Sequence, residues 1–252
     1  MHIITSTTPS LISYFAPGNI SVGFGPYTGN ADDRQEPARQ GFGTRERVVA
    51  VILKICEVGN PVLRKVARSL SAEEIRSNDI QTLIGYMRDT MRDARGVGLA
   101  APQIGESLQI AVIEDKAEYQ KTLTPEQLSE RQRVCVDFHV IINPQIELLA
   151  PTDLSFHEGC LSIPRLMAMV ARSSSVRVTC VDEHGEQRVI DATGWYARIL
   201  QHEIDHLQGR LYTDIMQPKT LTTIENHQRQ NSAPNKSSEQ KQVMTRPPFC
   251  LK

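Results

Sequence analysis

Apolar residues concentrate between positions 48 and 216, and their spacing changes along that stretch. Residues 48–55 are an apolar, β-branched run, which predicts a strand. A loop holding Gly59, Asn60 and Pro61 follows. Ser71 with Glu74 three residues on is a capping box, and Ile80, Leu83, Ile84, Met87 and Met91 then recur at helical spacing. That stripe reads as the core face of one helix. Residues 108–113 and 138–143 are apolar runs of strand length, the second stopped by Pro144. Between them residues 117–133 are polar and contain Pro125, as a surface insertion does. Residues 176–182 and 187–190 flank Glu183, His184 and Gly185, which predicts a hairpin. Residues 191–207 read as the last long helix, with Gly209 placed to end it. Strands precede and separate the helices without regular alternation. The expected class is therefore α+β, not a doubly wound sheet.

Outside this stretch the pattern fades. Residues 1–47 and 217–252 are rich in Ser, Thr, Asn, Gln, Gly and Pro. They pull the apolar content down to 40%, below the roughly 45–50% of globular chains. The expected organisation is one domain at 48–216, a polar, flexible extension at 1–47 and a polar tail at 217–252. Residues 1–33 hold no Lys or Arg, unlike a secretory signal or an Arg-rich transit segment. The net charge of −1 gives no electrostatic ground for a nucleic-acid partner. No apolar run reaches the length that spans a bilayer. The five cysteines are odd in number and widely spaced, with no Cys-x-x-Cys pair. They argue against a disulfide framework and for a reducing compartment.

The chemistry is concentrated in the last helix, where Gln201 is followed by His202, Glu203, Ile204, Asp205 and His206. Residues four apart lie one above the other on a helix, so both imidazoles can face one metal ion. Glu203 stands at the edge of that face, within reach of a water there, as in metal hydrolases. An open catalytic site needs a third protein ligand. Cys160, between a polar turn and Pro164, is one candidate, and a thiolate is a strong ligand. His157 competes with it, and Cys180 less so because it sits in an alternating strand. Gly96 and Gly98 permit close approach of backbone to ligand. Gln103 is either an oxyanion donor or a surface glutamine.

Three stretches together resemble the peptide deformylases: GVGLAAPQ at 96–103, EGCLS at 158–162 and QHEIDH at 201–206. The resemblance covers about 50–216, and residues 193–212 look like the branch that includes organellar enzymes. It implies mostly antiparallel sheets packed around a central helix bearing the His-Glu-x-x-His motif. It implies that Cys160, His202 and His206 hold the metal and that Glu203 is the acid–base residue. The Leu161 N–H and the Gln103 side chain would face the formyl oxygen, and Gly98 would meet the peptide backbone. Glu158, through Arg172, would support the ligands. Val97, Leu99, Trp195 and Ile199 would line the methionine pocket. The implied reaction is hydrolytic removal of the N-formyl group from the initiator methionine of new polypeptides, releasing formate. The implied native ion is Fe2+, with Zn2+, Ni2+ or Co2+ in purified protein, whereas the ligand set alone suggests zinc. Partners would be N-formylmethionyl nascent peptides, with room for transient ribosome contact and for a homodimer. No DNA or membrane role is expected. The compartment would be the cytoplasm in a bacterium and a mitochondrion or plastid in a eukaryote. Rival expectations are another metallopeptidase or amidase, and a closed structural zinc module. One departure from the family pattern is Arg165 after Ile163-Pro164, where glycine is common. The local turn is expected to differ there.

Overall fold

The structure is a computed structural model that describes residues 50–232. The expected extension at 1–47 and most of the tail lie outside the described residues. Two helices come first, α1 (Ala72–Arg76) and α2 (Asn78–Asp93). The single helix expected after Ser71 is broken at Ser77, whose extended backbone ends α1. Its hydroxyl then accepts from Ile80 N and starts α2. The Ser71–Glu74 capping box is present.

Four strands and two short helices follow: β1 (Gly98–Ala100), β2 (Ile110–Asp115), α3 (Ala117–Gln120), α4 (Pro125–Glu130), β3 (Val136–Leu148) and β4 (Thr152–Cys160), then β5 (Ile163–Ser173). The polar insertion is α3 and α4, neither of which buries a residue. Next come β6 (Ser175–Val181), β7 (Gln187–Thr193) and the long helix α5 (Gly194–Leu207). β8 (Thr222–Thr223) and α6 (Ile224–Ser232) close the described chain, so the first part of the expected tail is structured. All paired strands are antiparallel. They form a five-stranded sheet, β1-β2-β3-β6-β7, and a three-stranded sheet, β4-β5-β8.

The five-stranded sheet is covered on both faces, and strand alternation shows how. Ala111 and Ile113 of β2 and Ile141 of β3 pack with Ala197, Leu200, Ile204 and Leu207 of α5. Ile110, Val112, Val140 and Ile142 turn the other way, toward Ile84, Met87 and Met91 of α2. Every residue of β2 is buried as a result. A strand buried on both faces reads as a continuous apolar run, which is why the sequence announced it.

Three expectations change. Residues 50–55 form no strand. Val51 and Ile52 are exposed, and the segment instead lies along α2 through a Leu53 N bond to Thr90 Oγ1. β3 does not stop at Pro144. Asn143 takes φ +50 and the register shifts between Ile142 and Gln145, so a bulge absorbs the proline. The Asn143 side chain is held on Leu70, accepting from its N–H and donating to its carbonyl. The last helix begins at Gly194 and not at 191, because Thr193 still pairs with Ser175. Gly194 turns at φ +57, where a Cβ would sit 2.5 Å from Gln132 Cβ.

Candidate active site

One sheet brings a thiol to the helix. Cys160 is the last residue of β4, a strand that the sequence reading missed. It pairs with Ile163 across the turn at 161–162. Its Sγ lies 3.2 Å from His206 Nε2. One ligand atom from each of Cys160, His202 and His206 falls within 4.8 Å of the others. His157, the competing candidate, faces away, its ring 4.2 Å from that of His227. Cys180 is buried in the five-stranded core.

The donor chemistry fits a divalent ion. A sulfur and two imidazoles converge without a fourth protein ligand among the described residues. His202 Nδ1 is 3.0 Å from Glu158 Oε2, which leaves Nε2 for a metal. His206 Nδ1 is buried without a partner among the described residues, and its Nε2 is the atom turned to the thiol. Tyr212 stacks on the His202 ring, 6.3 Å between centroids and 22° between planes.

Glu203 lies behind this set, 4% exposed. Its Oε2 has no partner among the described residues. Burial pushes its carboxyl up to about 7, with the neighbouring His202 opposing the rise. A carboxyl near neutrality can both take and return a proton. Gly98 explains the fit: a Cβ there would lie 2.3 Å from Glu203 Oε1. Gly96 is similar, since a Cβ would come 2.8 Å from Leu161 Cδ1.

Gln103 is a buried residue, not a surface glutamine. Its Oε1 accepts from Ala100 N at 2.8 Å. Its Nε2 lies 3.2 Å from Ser162 Oγ and 3.5 Å from Cys160 Sγ. The residues just after the segment misread as a strand brace both ends of this contact. Cys56 N donates to Gln103 O, and Val58 N donates to Ser162 O.

Behind these three side chains is a buried ion network. Arg172 of β5 holds Glu158 through Nε and Nη2, each at 3.0 Å, and Asp205 through Nη1. Burial alone would raise the Glu158 carboxyl. The hydrogen bonds from His202 and Arg172 hold it well below the usual carboxylate range. Arg198 Nη1 adds a 2.6 Å bond to Glu158 Oε1. Sequence reasoning missed Arg198, Asp205 and Ser162. Arg198 did carry a signal, a charge one helical turn before His202 on an inward-facing helix.

The four residues expected to line a side-chain pocket divide. Val97, Trp195 and Ile199 pack on the cluster between α5 and the large sheet. Leu99 belongs to the opposite cluster, with Leu161 beside it. Trp195 meets Phe156 of β4 edge to face, at 6.1 Å between centroids. Arg165 keeps the left-handed conformation, φ +65, within an irregular stretch of β5. The arginine thus sits in the backbone region that glycine favours.

A cysteine sulfur and two histidines one helical turn apart, beside a buried carboxyl, define a metal-dependent hydrolase. Comparisons with known proteins narrow the class. Residues 52–221 match the model of the polypeptide deformylase family. A chloroplastic peptide deformylase 1A from Solanum lycopersicum is 43% identical over 75% of this chain and 69% of its own length. The mitochondrial peptide deformylase of Homo sapiens is 38% identical over 68% of this chain and 70% of its own. A Met-Ala-Ser-bound crystal structure of the class I type b peptide deformylase from Acinetobacter baumannii aligns with a TM-score of 0.59 at 30% identity. It covers 67% of this chain and all of that one. The chain belongs to the peptide deformylase family. Its activity is the metal-dependent hydrolysis that removes the N-formyl group from the initiator methionine of new polypeptides. This decides against the structural zinc module and against an unrelated amidase.

Proposed function

We propose that Cys160, His202 and His206 are the metal ligands and that Glu203 moves the proton of the reaction. The observation that carries this reading is the convergence of the three ligand atoms beside a buried carboxyl without a partner among the described residues. A divalent ion held there supplies Lewis acidity, which makes hydroxide accessible near neutral pH and draws charge from a carbonyl oxygen. Glu203 takes a proton from the attacking water and returns it to the departing amine. Gln103 has two N–H groups. One stays on Ser162, and the other exchanges its long contact with Cys160 for the formyl oxygen. The Leu161 N–H donates to the same oxygen as negative charge grows on it. Gly98 lets the peptide backbone lie close to Glu203. Val97, Trp195 and Ile199 form the apolar wall for the methionine side chain, without Leu99, which is buried in the opposite cluster. Glu158 and Arg172 hold His202 in the tautomer that binds metal.

The substrate class is N-formylmethionyl peptides. Met-Ala-Ser in the Acinetobacter relative is what deformylation of such a peptide would leave. The ion is Fe2+ in the cell and Zn2+, Ni2+ or Co2+ after purification, since thiolate and imidazole suit all four. The nascent chain is met at the ribosome, in a bacterial cytoplasm or in an organelle. Relatives from chloroplasts, mitochondria and bacteria support both settings. Formate release from a formyl-methionyl peptide, compared with the acetylated form, tests the reading. Turnover of the formyl peptide alone is expected, because a tight site admits hydrogen and excludes methyl. Comparable cleavage of the acetyl peptide would overturn it.

A further inference from the structure

We infer that Arg198 is a positioning residue for the metal ligand His202. The inference rests on the ligand set just proposed. That set is divided between two elements: Cys160 is on the β4–β5 hairpin, and His202 and His206 are on α5. Its geometry therefore depends on how the hairpin is registered against the helix. Two buried arginines cross that boundary in opposite directions. Arg172 leaves β5 and reaches Asp205 of α5. Arg198 leaves α5 and reaches three acceptors on the hairpin: Glu158 Oε1 at 2.6 Å, Val170 O at 2.9 Å and Leu154 O at 2.5 Å.

The two tethers are not equivalent. Arg172 and Glu158 both belong to the hairpin, so their bidentate pair fixes Glu158 within its own sheet. Arg198 fixes Glu158 relative to the helix that carries His202, one turn away. Glu158 Oε1 receives Arg172 Nε and Arg198 Nη1, while Oε2 receives Arg172 Nη2 and faces His202 Nδ1. With both oxygens held in this way, the carboxylate cannot turn away from the imidazole. The Arg198 guanidinium also lies under the Phe156 ring, 5.3 Å from its centroid, and near the Trp195 ring at 5.8 Å. These rings shield it from water, and its 3% exposure means that its charge must be answered within the protein.

A plain structural staple would use the same bonds to Val170 and Leu154, so the test must read the metal. Three forms of the full chain are compared: Arg198→Met, Arg198→Lys and, as a reference, Arg133→Met. Arg133 makes a partly buried bidentate pair with Asp115, and it gives no bond to the ligand network. Zinc release to a chromogenic chelator and the absorption spectrum of the cobalt form are measured beside the thermal midpoint. Arg198→Met is expected to release zinc about 10–100-fold faster, the usual cost of losing a partner behind a ligand. It should also shift the cobalt bands. Arg198→Lys should fall between it and wild type. Arg133→Met should lower the midpoint and leave release and spectrum unchanged. Wild-type release and spectrum in a destabilised Arg198→Met would overturn the inference and leave Arg198 a staple. If that variant does not fold, Arg198→Lys decides alone, and release at the wild-type rate would overturn it. A wild-type chain that binds no zinc or cobalt would instead overturn the ligand assignment.

Discussion

The two sheets solve different problems with different chemistry. The five-stranded sheet is apolar on both faces, pressed between α2 and α5, and β2 has no exposed residue. The β4–β5 hairpin packs a small apolar cluster around Leu63, Ile163, Val170 and Tyr212. Against α5, however, it presents Glu158, Arg172 and Cys160. Burying those charges costs several kcal/mol per ion before their pairing offsets it. A hydrophobic replacement would hold the layers together as well or better. The large sheet thus supplies stability, and the hairpin trades stability for a fixed geometry of the proposed ligands.

That division can be tested from its strongest consequence downward. Cys160→Ala removes a proposed ligand, so formate release should fall on the order of 10³-fold or more, the equivalent of several kcal/mol of lost charge stabilisation. Metal content after gel filtration should fall with it, while thermal unfolding of the metal-free protein stays cooperative. Full metal retention would return His157 to contention. Gly98→Ala places a methyl group 2.3 Å from Glu203 Oε1. Displacing that carboxylate by about 1 Å should cost roughly 10²-fold in kcat/KM. Circular dichroism should show the fold intact, and unchanged kinetics would mean that Glu203 is free to move aside.

Ile141→Ala probes the other sheet. Ile141 is fully buried against α5, and the change should cost roughly 2–5 kcal/mol in denaturant unfolding. Turnover per folded molecule should stay near wild type. A large loss of turnover at full folding would erase the distinction between the sheets. The smallest effect belongs to Arg165→Gly. Relief of the left-handed strain at φ +65, less the entropy glycine loses on folding, should raise stability by roughly 0.5–1 kcal/mol. Chemical denaturation measures it, and a lowered midpoint would show that the arginine makes contacts that outweigh its strain.

The same contrast governs what was legible in the sequence. β2, β3 and α5 were readable because burial on known faces leaves apolar runs and helical stripes. The His-Glu-x-x-His spacing was readable because a helix repeats faithfully. β4 and β5 were not. Their inward positions include Glu158 and Arg172, charges that no alternating apolar pattern admits. Cys160 was accordingly placed between a polar turn and Pro164, outside a strand core, although it ends a strand. Residues 50–55 failed in the opposite sense, since a β-branched run becomes a strand only where another strand's edge can receive it. The bulge at Asn143 and the break at Ser77 each turn on the hydrogen bonds of one side chain, which periodicity does not register.

On the proposed assignment, Glu203 moves a proton without helping to hold the metal. Glu203→Gln keeps the size of the side chain and removes its basicity. Metal content and formate release measured on one sample of this variant test the claim most directly. Wild-type metal content and a loss of about 10²–10⁴-fold in turnover are expected. Turnover near wild type with the metal in place would contradict it.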